Sequence, residues 1–298
     1  MFINSANLNT LFGGFKASFG KGFKGAETAY AQIATVVPST TREEGYGWLG
    51  QFPRMREWIG DRVVNSLAAQ SYKIANRDFE QTISVPRNDI EDDQYGIFGP
   101  MFEEMGRVAA ELPDELVFGL LSDGFTTNCY DGQFFFDIDH PVLGENGQTT
   151  ASVSNFQGGS GTPWFLLDCS RPIKPLIYQE RRPLGNLVSK TDPGDENVFN
   201  RKEYVYGSDG RCNAGFGLWQ MAYASRQPLT PDNYAAARAA MTGLRGDYGR
   251  RLGIMPGVLV VPTTLEGAGR RIVNSALASG GETNEWAGTA KLLVTPWL

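Results

Sequence analysis

One short segment, residues 129–142, gathers the side-chain types that most often do chemistry. It contains Cys129, Asp137, Asp139 and the single histidine of the chain, His140. A thiol beside an imidazole and a carboxylate is the set found in a cysteine nucleophile with its base and orienting acid. The same atom types also bind transition metals. The segment is therefore a candidate reaction site, a candidate metal site or a structural corner.

The sequence favours the structural corner. The segment has neither a nucleophile elbow nor the glycines of an oxyanion site. Asp137, Asp139 and His140 fall within four residues of an expected strand or turn, which points alternate side chains to opposite faces. The glycine-rich stretch Gly158–Gly161 lacks the Lys-Ser/Thr pair of a phosphate loop. We therefore predict no catalytic, cofactor-binding or metal-binding residue.

A turn followed by a buried strand is the structure that this segment predicts. Residues 130–133, Tyr-Asp-Gly-Gln, have turn chemistry, because aspartate can bond its own downstream backbone and glycine accepts a positive φ. Phe134–Phe136 then predict a bulky buried strand, which Asp139-His140-Pro141 should break. His140 is expected to hydrogen-bond a buried carboxylate or carbonyl. Its replacement should alter folding or assembly and no reaction rate.

Composition narrows the function further. The 298-residue chain has a formal net charge of −6 and a pI near 5.0. This balance argues against strong sequence-independent nucleic-acid binding, which needs clustered lysine and arginine. Cys129, Cys169 and Cys212 form no Cys-x-x-Cys pair, so reduced thiols are expected rather than a disulfide scaffold or a zinc site. No apolar run approaches the ~20 residues of a membrane span, and the N-terminus lacks a secretory pattern.

Residues 1–45 are predicted to form an N-terminal arm. Apolar residues recur there at the three- and four-residue spacing of an amphipathic helix, namely Leu8, Phe12, Phe15, Phe19 and Phe23. Five glycines between residues 13 and 25 each cost about 1 kcal/mol relative to alanine, so the helix is marginal by itself. We favour an arm that becomes ordered on a neighbouring subunit. A flexible tail and a helix lying on a membrane surface are the alternatives.

Residues 46–87 are predicted to be extended. Alternation in Asp78–Val85 places Phe79 on a mostly apolar face, as a half-buried strand requires. A partner strand around Trp58–Val64 would complete a long hairpin, which is poorly stable alone. The arm and the hairpin should therefore gain burial at subunit contacts. We assign assembly roles to Phe12, Phe15, Phe19, Phe23, Trp48, Trp58 and Phe79.

Two helices should follow the extended region. Asn88 can cap the first, which continues to about Leu112, with Gly99-Pro100 as a kink or restart and a candidate hinge. Pro113 opens the second, which ends near Gly124. The remaining pattern is a surface loop, short strands and two helices, and it makes the fold class α+β. The loop covers 143–163, the helices 231–252 and 264–277, and the strands 164–167, 176–178, 202–206, 217–224, 258–262 and 291–295.

Several segments, in this order along the chain, resemble those of one protein family. They are Tyr46–Gly50, Arg56–Gly60, Ile74–Glu80, Asp89–Asp93, Pro113–Leu116, Cys129–Val142, Leu167–Arg171, Gln179–Arg182, Gly217–Ala222 and Leu252–Ile254. Because so many separate motifs match in one order, from about residue 5 to the C-terminus, the resemblance is specific. The chain resembles the major head (capsid) subunits of Mu-like phages and prophages.

This resemblance implies the Hong Kong 97-type capsid fold of tailed-phage heads. Residues 1–45 would be its N-terminal arm, and 46–87 the extended loop that reaches over a neighbour. Residues 88–163 would be the peripheral domain with its spine helix. Residues 164–298 would supply the axial domain and the remaining peripheral strands.

The function that the resemblance implies is that of a major capsid protein. Copies of the chain would form hexamers and pentamers of an icosahedral head enclosing double-stranded DNA without sequence-specific contacts. Portal, scaffold, protease and decoration proteins are the implied partners. Assembly would occur in the host bacterial cytoplasm, and the product would be the virion, without cofactor or membrane. The alternatives are the shell of an encapsulating protein nanocompartment of the same fold and a cytosolic enzyme that uses Cys129 and His140.

Overall fold

The computed structural model describes residues 3–47, 49, 72–92, 94–146, 149–278 and 280–298. Trp48, Trp58 and the hairpin partner predicted around Trp58–Val64 lie outside these residues. No helix in the described ranges is both long and apolar enough to cross a membrane. The helices are α1 (Ser5–Gly25), α2 (Tyr30–Ile33), α3 (Arg87–Glu91), α4 (Gly99–Asp123), α5 (Glu196–Arg201), α6 (Pro231–Thr242) and α7 (Glu266–Val273).

Sixteen strands are present in the described residues. They are β1 (Ala34–Pro38), β2 (Glu43–Gly45), β3 (Lys73–Ala75), β4 (Arg77–Pro86), β5 (His140–Leu143), β6 (Thr150–Val153), β7 (Phe156–Gly159), β8 (Trp164–Leu167), β9 (Leu176–Arg182), β10 (Leu187–Lys190), β11 (Glu203–Phe216), β12 (Ala222–Arg226), β13 (Arg245–Gly246), β14 (Arg250–Arg251), β15 (Val258–Pro262) and β16 (Lys291–Thr295).

Two five-stranded sheets organise these strands. The first has the order β1-β9-β11-β10, with β4 paired to β11 as well. The second has the order β16-β15-β8-β12-β7. Three further pairs, β2–β3, β5–β6 and β13–β14, are two-stranded. Sheets that mix parallel and antiparallel pairs, with helices packed against them, confirm the α+β class.

The arm helix α1 packs on α4 of the same chain. Its apolar positions form one buried face, as their spacing predicted, and Asn4 caps its first turn. The Phe15 ring stacks on the Phe102 ring of α4 at 4.1 Å between centroids. A Cβ on Gly106 of α4 would lie 2.0 Å from the Phe19 carbonyl oxygen, so the two backbones are in direct contact. The expectation that a neighbouring subunit orders this helix is therefore corrected, because α4 supplies the apolar surface.

The remainder of the arm is tied into the subunit by hydrogen bonds. The carboxylate of Asp114 on α4 accepts from the backbone nitrogens of Ala29 at 3.0 Å and Tyr30 at 2.7 Å, at the start of α2. Strand β1 then pairs in parallel with β9 and becomes part of the first sheet. The described part of the arm, residues 3–45, is therefore packed against the rest of this chain.

One helix, α4, covers the end of the first predicted helix and the whole of the second. Its 25 residues run through Pro113 without a break, so the second helix start predicted there is wrong. Proline removes one backbone hydrogen bond from a helix interior, but buried side chains on both sides of it, such as Phe102 and Leu121, hold the two halves in line. Gly99 and Pro100 do restart the helix, after a 3₁₀ turn over Gln94–Phe98.

A second correction concerns Asn88. It lies inside α3, whose N-cap position is Pro86 and has no side-chain cap bond. The alternation predicted for residues 78–85 is confirmed in β4, where Phe79 and Ile83 lie on the inward face with Val85. Strand β4 pairs with β11 in antiparallel orientation. The backbone hydrogen bonds to β11, which lies within the described residues, therefore stabilise β4.

Later elements follow the predicted order with shifted bounds. Strands at 164–167, 258–262 and 291–295 are confirmed as β8, β15 and β16. The predicted loop at 143–163 contains β6 and β7, and the helix predicted over 231–252 ends at Thr242. Tyr248 has a φ of 61° and Gly249 a φ of 68°, which no continuing α-helix can accommodate.

Glu44 holds the connection between β1 and β2. Its carboxylate accepts from the backbone nitrogens of Thr40 at 2.9 Å and Thr41 at 3.1 Å, and from the Ser39 hydroxyl at 2.8 Å. These bonds lower the pKa of Glu44 from 4.5 to about 2, and the bond from the Thr40 nitrogen has the largest effect. Hydrogen bonds to the charged form stabilise it relative to the protonated form.

We expect the Glu44 contribution to appear as acid sensitivity. Because its pKa is depressed in the folded state, the stabilisation is complete above pH 4.5 and is lost as the pH falls toward 2. Thermal unfolding of wild type and Glu44→Gln across this range should therefore show a melting-temperature gap that closes with acid. Glu115→Gln, on the exposed side of α4, is the matched control. A gap of constant size for Glu44→Gln would contradict the assignment.

Candidate functional site

Residues 129–142 form a corner between the two sheets. The Phe135 ring stacks on Phe216, at the end of β11, with 4.4 Å between centroids. The Phe136 ring contacts Phe165 of β8 at 5.3 Å. Both phenylalanines are buried. The segment therefore joins the first sheet to the second.

The backbone of this corner differs from the predicted one. The turn is present, with Gly132 at a φ of 89°, but Phe134–Phe136 form no strand and the Phe134 side chain is 41% exposed. The nitrogens of Phe135 and Phe136 donate to carbonyls of Thr127 and Gly124, just beyond α4, instead of to a sheet. A strand, β5, begins at His140, where the sequence predicted a break.

His140 is the centre of a buried polar cluster. Its Nδ1 lies 2.8 Å from Oδ2 of Asp131, and its Nε2 lies 3.2 Å from Oδ1 of Asn155. The imidazole stacks on the Trp219 ring at 3.9 Å with 8° between planes, and no part of it is exposed. The predicted hydrogen bond from His140 to a carboxylate is confirmed, although that carboxylate, Asp131, is only partly buried.

Asn155 connects this cluster to three chain segments. Its Nδ2 donates to the carbonyls of Phe135 at 2.8 Å and of Trp219 and Ala222 at 3.3 Å. Its Oδ1 accepts from the Asp137 backbone nitrogen at 2.9 Å. Three carbonyls on one side and an N–H on the other fix the orientation of the amide.

The cluster lacks the properties of a reaction site. The Cys129 thiol donates to Oδ1 of Asp131 at 3.0 Å. Burial, followed by the negative charge of Asp131, raises the pKa of Cys129 well above its usual value, which opposes the thiolate form a nucleophile needs. Asp137 bonds the backbone of Phe134 and Ile138 instead of His140. The sequence paired His140 with the wrong aspartates, because Asp131 was assigned to the turn alone.

Asp131 is the residue that organises the cluster. Burial acts to raise the pKa of Asp131. The hydrogen bond with His140, supported by bonds from Cys129 and the Gln133 backbone, outweighs burial and holds this pKa below its usual value. The sequence did contain a signal for this pairing. Asp131 lies in a predicted turn, nine residues before the single histidine, so the chain can fold back and bring the two side chains together. Asn155 left no comparable signal, since it lies in a stretch that predicted a surface loop.

The proposed assembly phenylalanines lie against this chain. Phe15 and Phe19 are buried in its core. Phe12 is partly buried and its ring lies 6.0 Å from that of Tyr206, while Phe23 packs near Gly185 and on Phe19. Phe79 is half-buried on β4. In this conformation Phe15 and Phe19 are not available to a neighbour.

Comparison with known proteins decides the family. The family described as Mu-like prophage major head subunit gpT matches residues 8–298. The chain belongs to that family. The major capsid protein of Escherichia phage Mu is 44% identical over 306 residues, covering 100% of both chains. The Mu-like prophage FluMu major head subunit of Haemophilus influenzae is 46% identical over 276 residues, covering 91% of this chain and 89% of that protein.

Solved structures show the fold of this head subunit. The procapsid of bacteriophage JBD30 matches with a TM-score of 0.87 and 46% identity, covering 99% of this chain and 100% of that one. The JBD30 capsid matches with a TM-score of 0.77 and 36% identity, covering 91% of each. The resemblance and the Hong Kong 97-type fold expected from the sequence are confirmed. The head subunit is a major capsid protein of a tailed phage.

The surface of this head subunit exposes several large apolar side chains, and two of them, Met101 and Val108, lie at helical spacing in the sequence. Ile97, in the 3₁₀ turn before α4, is 67% exposed, and Met101 and Val108 on α4 are 52% and 47% exposed. Phe199 of α5 is 81% exposed.

Proposed function

We propose that copies of this head subunit form hexamers and pentamers that close into an icosahedral head around double-stranded DNA. The observation that carries the proposal is the family match over residues 8–298. Closed symmetry repeats each subunit contact many times, so contacts that are individually weak give a collectively stable shell. The net charge of −6 supports enclosure of DNA without sequence-specific contacts.

The exposed side of α4 is a proposed subunit contact. Ile97, Met101 and Val108 present apolar surface to solvent in the single chain, and burying such surface stabilises an assembly by roughly 25 cal/mol per Å². Arg107 bridges Glu104 and Glu111 beside them, which leaves a charged rim around the apolar surface. This arrangement resembles the apolar centre and polar edge of protein interfaces.

The remaining assignments stay proposals on the same basis. Trp48, Trp58 and Phe79 would act in the extended loop, and Gly99-Pro100 would be the hinge, supported by the restart of α4 there. The division into residues 1–45, 46–87, 88–163 and 164–298 is likewise retained. Assembly would occur in the host bacterial cytoplasm, with portal, scaffold, protease and decoration proteins as partners.

Sedimentation of the expressed protein tests this proposal. We expect wild type to sediment as particles of very high mass under assembly conditions. Met101→Glu should remain a folded subunit, because the side chain is half exposed, yet lose most of these particles, since the charge must be desolvated at the contact.

Met101→Leu is the matched control and should assemble normally. A wild-type protein that stays monomeric under every assembly condition would contradict the shell. Met101→Glu particles in wild-type yield would instead exclude the α4 contact and leave the shell itself intact.

A further inference from the structure

The corner cluster has the composition and arrangement of a structural metal site. The ligand atoms of Cys129, Asp131 and His140 all lie within 4.8 Å of one another. Cys129 and His140 are buried, and Asp131 is partly exposed. We propose that Cys129, Asp131 and His140 bind a zinc ion that fixes the turn at residues 129–133 to the first residue of β5.

Both ring nitrogens of His140 face an oxygen atom. Asp131 Oδ2 faces Nδ1, and Asn155 Oδ1 faces Nε2. Both are acceptors, because the Asn155 amide nitrogen is committed to three carbonyls. A neutral imidazole has one N–H and satisfies one of the two, whereas either an imidazolium ion or a cation bound at Nδ1 satisfies both. With a cation between Asp131 and Nδ1, the Nδ1 lone pair binds the metal and the Nε2 proton serves Asn155.

Asn155 would then fix the orientation of the metal-bound ring. A metal-bound histidine almost always donates its other ring N–H to an oxygen that fixes the orientation of the ring. Here that oxygen belongs to an amide held by four further hydrogen bonds, and Trp219 covers the face of the imidazole. The ring therefore has little freedom to turn Nδ1 away from the cluster.

The chemistry of the ligands favours zinc over magnesium or calcium. Thiolate and imidazole are zinc ligands, whereas magnesium and calcium take oxygen ligands. Binding releases one proton to solvent, from the Cys129 sulfur, while the single proton of the neutral imidazole is held on Nε2 instead of Nδ1. A dication with a thiolate, a carboxylate and a neutral imidazole has no net charge, so the buried site carries no uncompensated charge.

Modest movements complete the coordination. In tetrahedral zinc sites, ligand atoms lie about 3.3–3.6 Å apart for bonds of about 2.0–2.3 Å. Nδ1 and Oδ2 are 2.8 Å apart and Sγ and Oδ1 are 3.0 Å apart, so these pairs open slightly while the longest separation shortens. The exposed side of Asp131 leaves a position for a water ligand. The sequence predicted no metal because it considered Asp137 and Asp139, and Asp131 replaces them.

Metal analysis of the purified full-length protein tests the proposal. After incubation with zinc and removal of free metal, wild type should retain about one zinc per chain, and zinc should raise its melting temperature. Cys129→Ser should retain at least tenfold less zinc. Cys169→Ser, which alters a thiol outside the cluster, should retain the wild-type amount.

Cobalt provides a readout that does not require a folded variant. Cobalt bound to wild type should show a thiolate-to-cobalt charge-transfer band that Cys169→Ser keeps. Wild type that retains no zinc, or cobalt bound without this band, would overturn the site. Equal zinc content in wild type and folded Cys129→Ser would identify the metal as adventitious and would also overturn it.

Discussion

Gly106→Ala is expected to destabilise the subunit by about 1–3 kcal/mol, although alanine is the better helix former. The added Cβ would lie 2.0 Å from the Phe19 carbonyl oxygen and 2.9 Å from its carbonyl carbon. Both are backbone atoms of α1, so no side-chain rotation relieves the overlap. The helices must separate, and the buried face of Phe15 and Phe19 loses part of its contact with α4.

Gly20→Ala is the matched control for this prediction. Its Cβ would meet nothing within 4 Å, so the substitution should stabilise the subunit by about 0.5–1 kcal/mol through helix propensity alone. Urea unfolding of the isolated subunit measures both effects, and amide exchange over residues 5–25 reports the separation of α1. Equal effects of the two substitutions would show that α1 does not pack on α4 as described.

Asn155→Ala is expected to lower the free energy of unfolding by about 3 kcal/mol or more, which is the largest loss that we expect from one side chain. It removes the partners of several buried polar groups at once, and each one left unsatisfied costs about 1–3 kcal/mol. These include Nε2 of His140, the Asp137 nitrogen and the Phe135 carbonyl. Because the corner joins both sheets, the loss should appear in global unfolding.

Asn213→Ala is a suitable control, since within the described residues the half-buried Asn213 side chain makes one hydrogen bond, 2.7 Å to the Ala75 carbonyl. It should cost well under half as much. Unfolding of both variants in urea gives the comparison. Similar losses would mean that Asn155 is one hydrogen-bonding residue among many, and the corner would lose its proposed importance.

These two sites show which features the sequence could predict. Helical spacing predicted α1 and period-two alternation predicted β4, because both patterns are local. The partner of α1 could not be predicted in this way. It depends on Gly106 meeting the backbone near Phe19, 87 positions earlier in the chain, and a glycine in a helix pattern is otherwise interpreted as a cost.

The corner was predicted in part for the same physical reason. The turn at Gly132 and the burial of His140 followed from local chemistry, but the partners Asp131 and Asn155 depend on how the chain folds back on itself. The continuity of α4 through Pro113 was missed, since packing on both sides outweighs a local breaker. Neither helical spacing nor strand alternation predicted the function. The function was predicted from the series of motifs that match one family in the same order.

Electron cryomicroscopy of particles assembled from the full-length protein would show both the shell and the packing of α1 within it. We expect closed shells with five-fold and six-fold centres, in which α1 of each chain lies on α4 of the same chain and the exposed side of α4 meets a neighbouring subunit. Shells in which α1 crosses to a neighbour's α4, or protein that remains monomeric in every condition, would contradict this expectation.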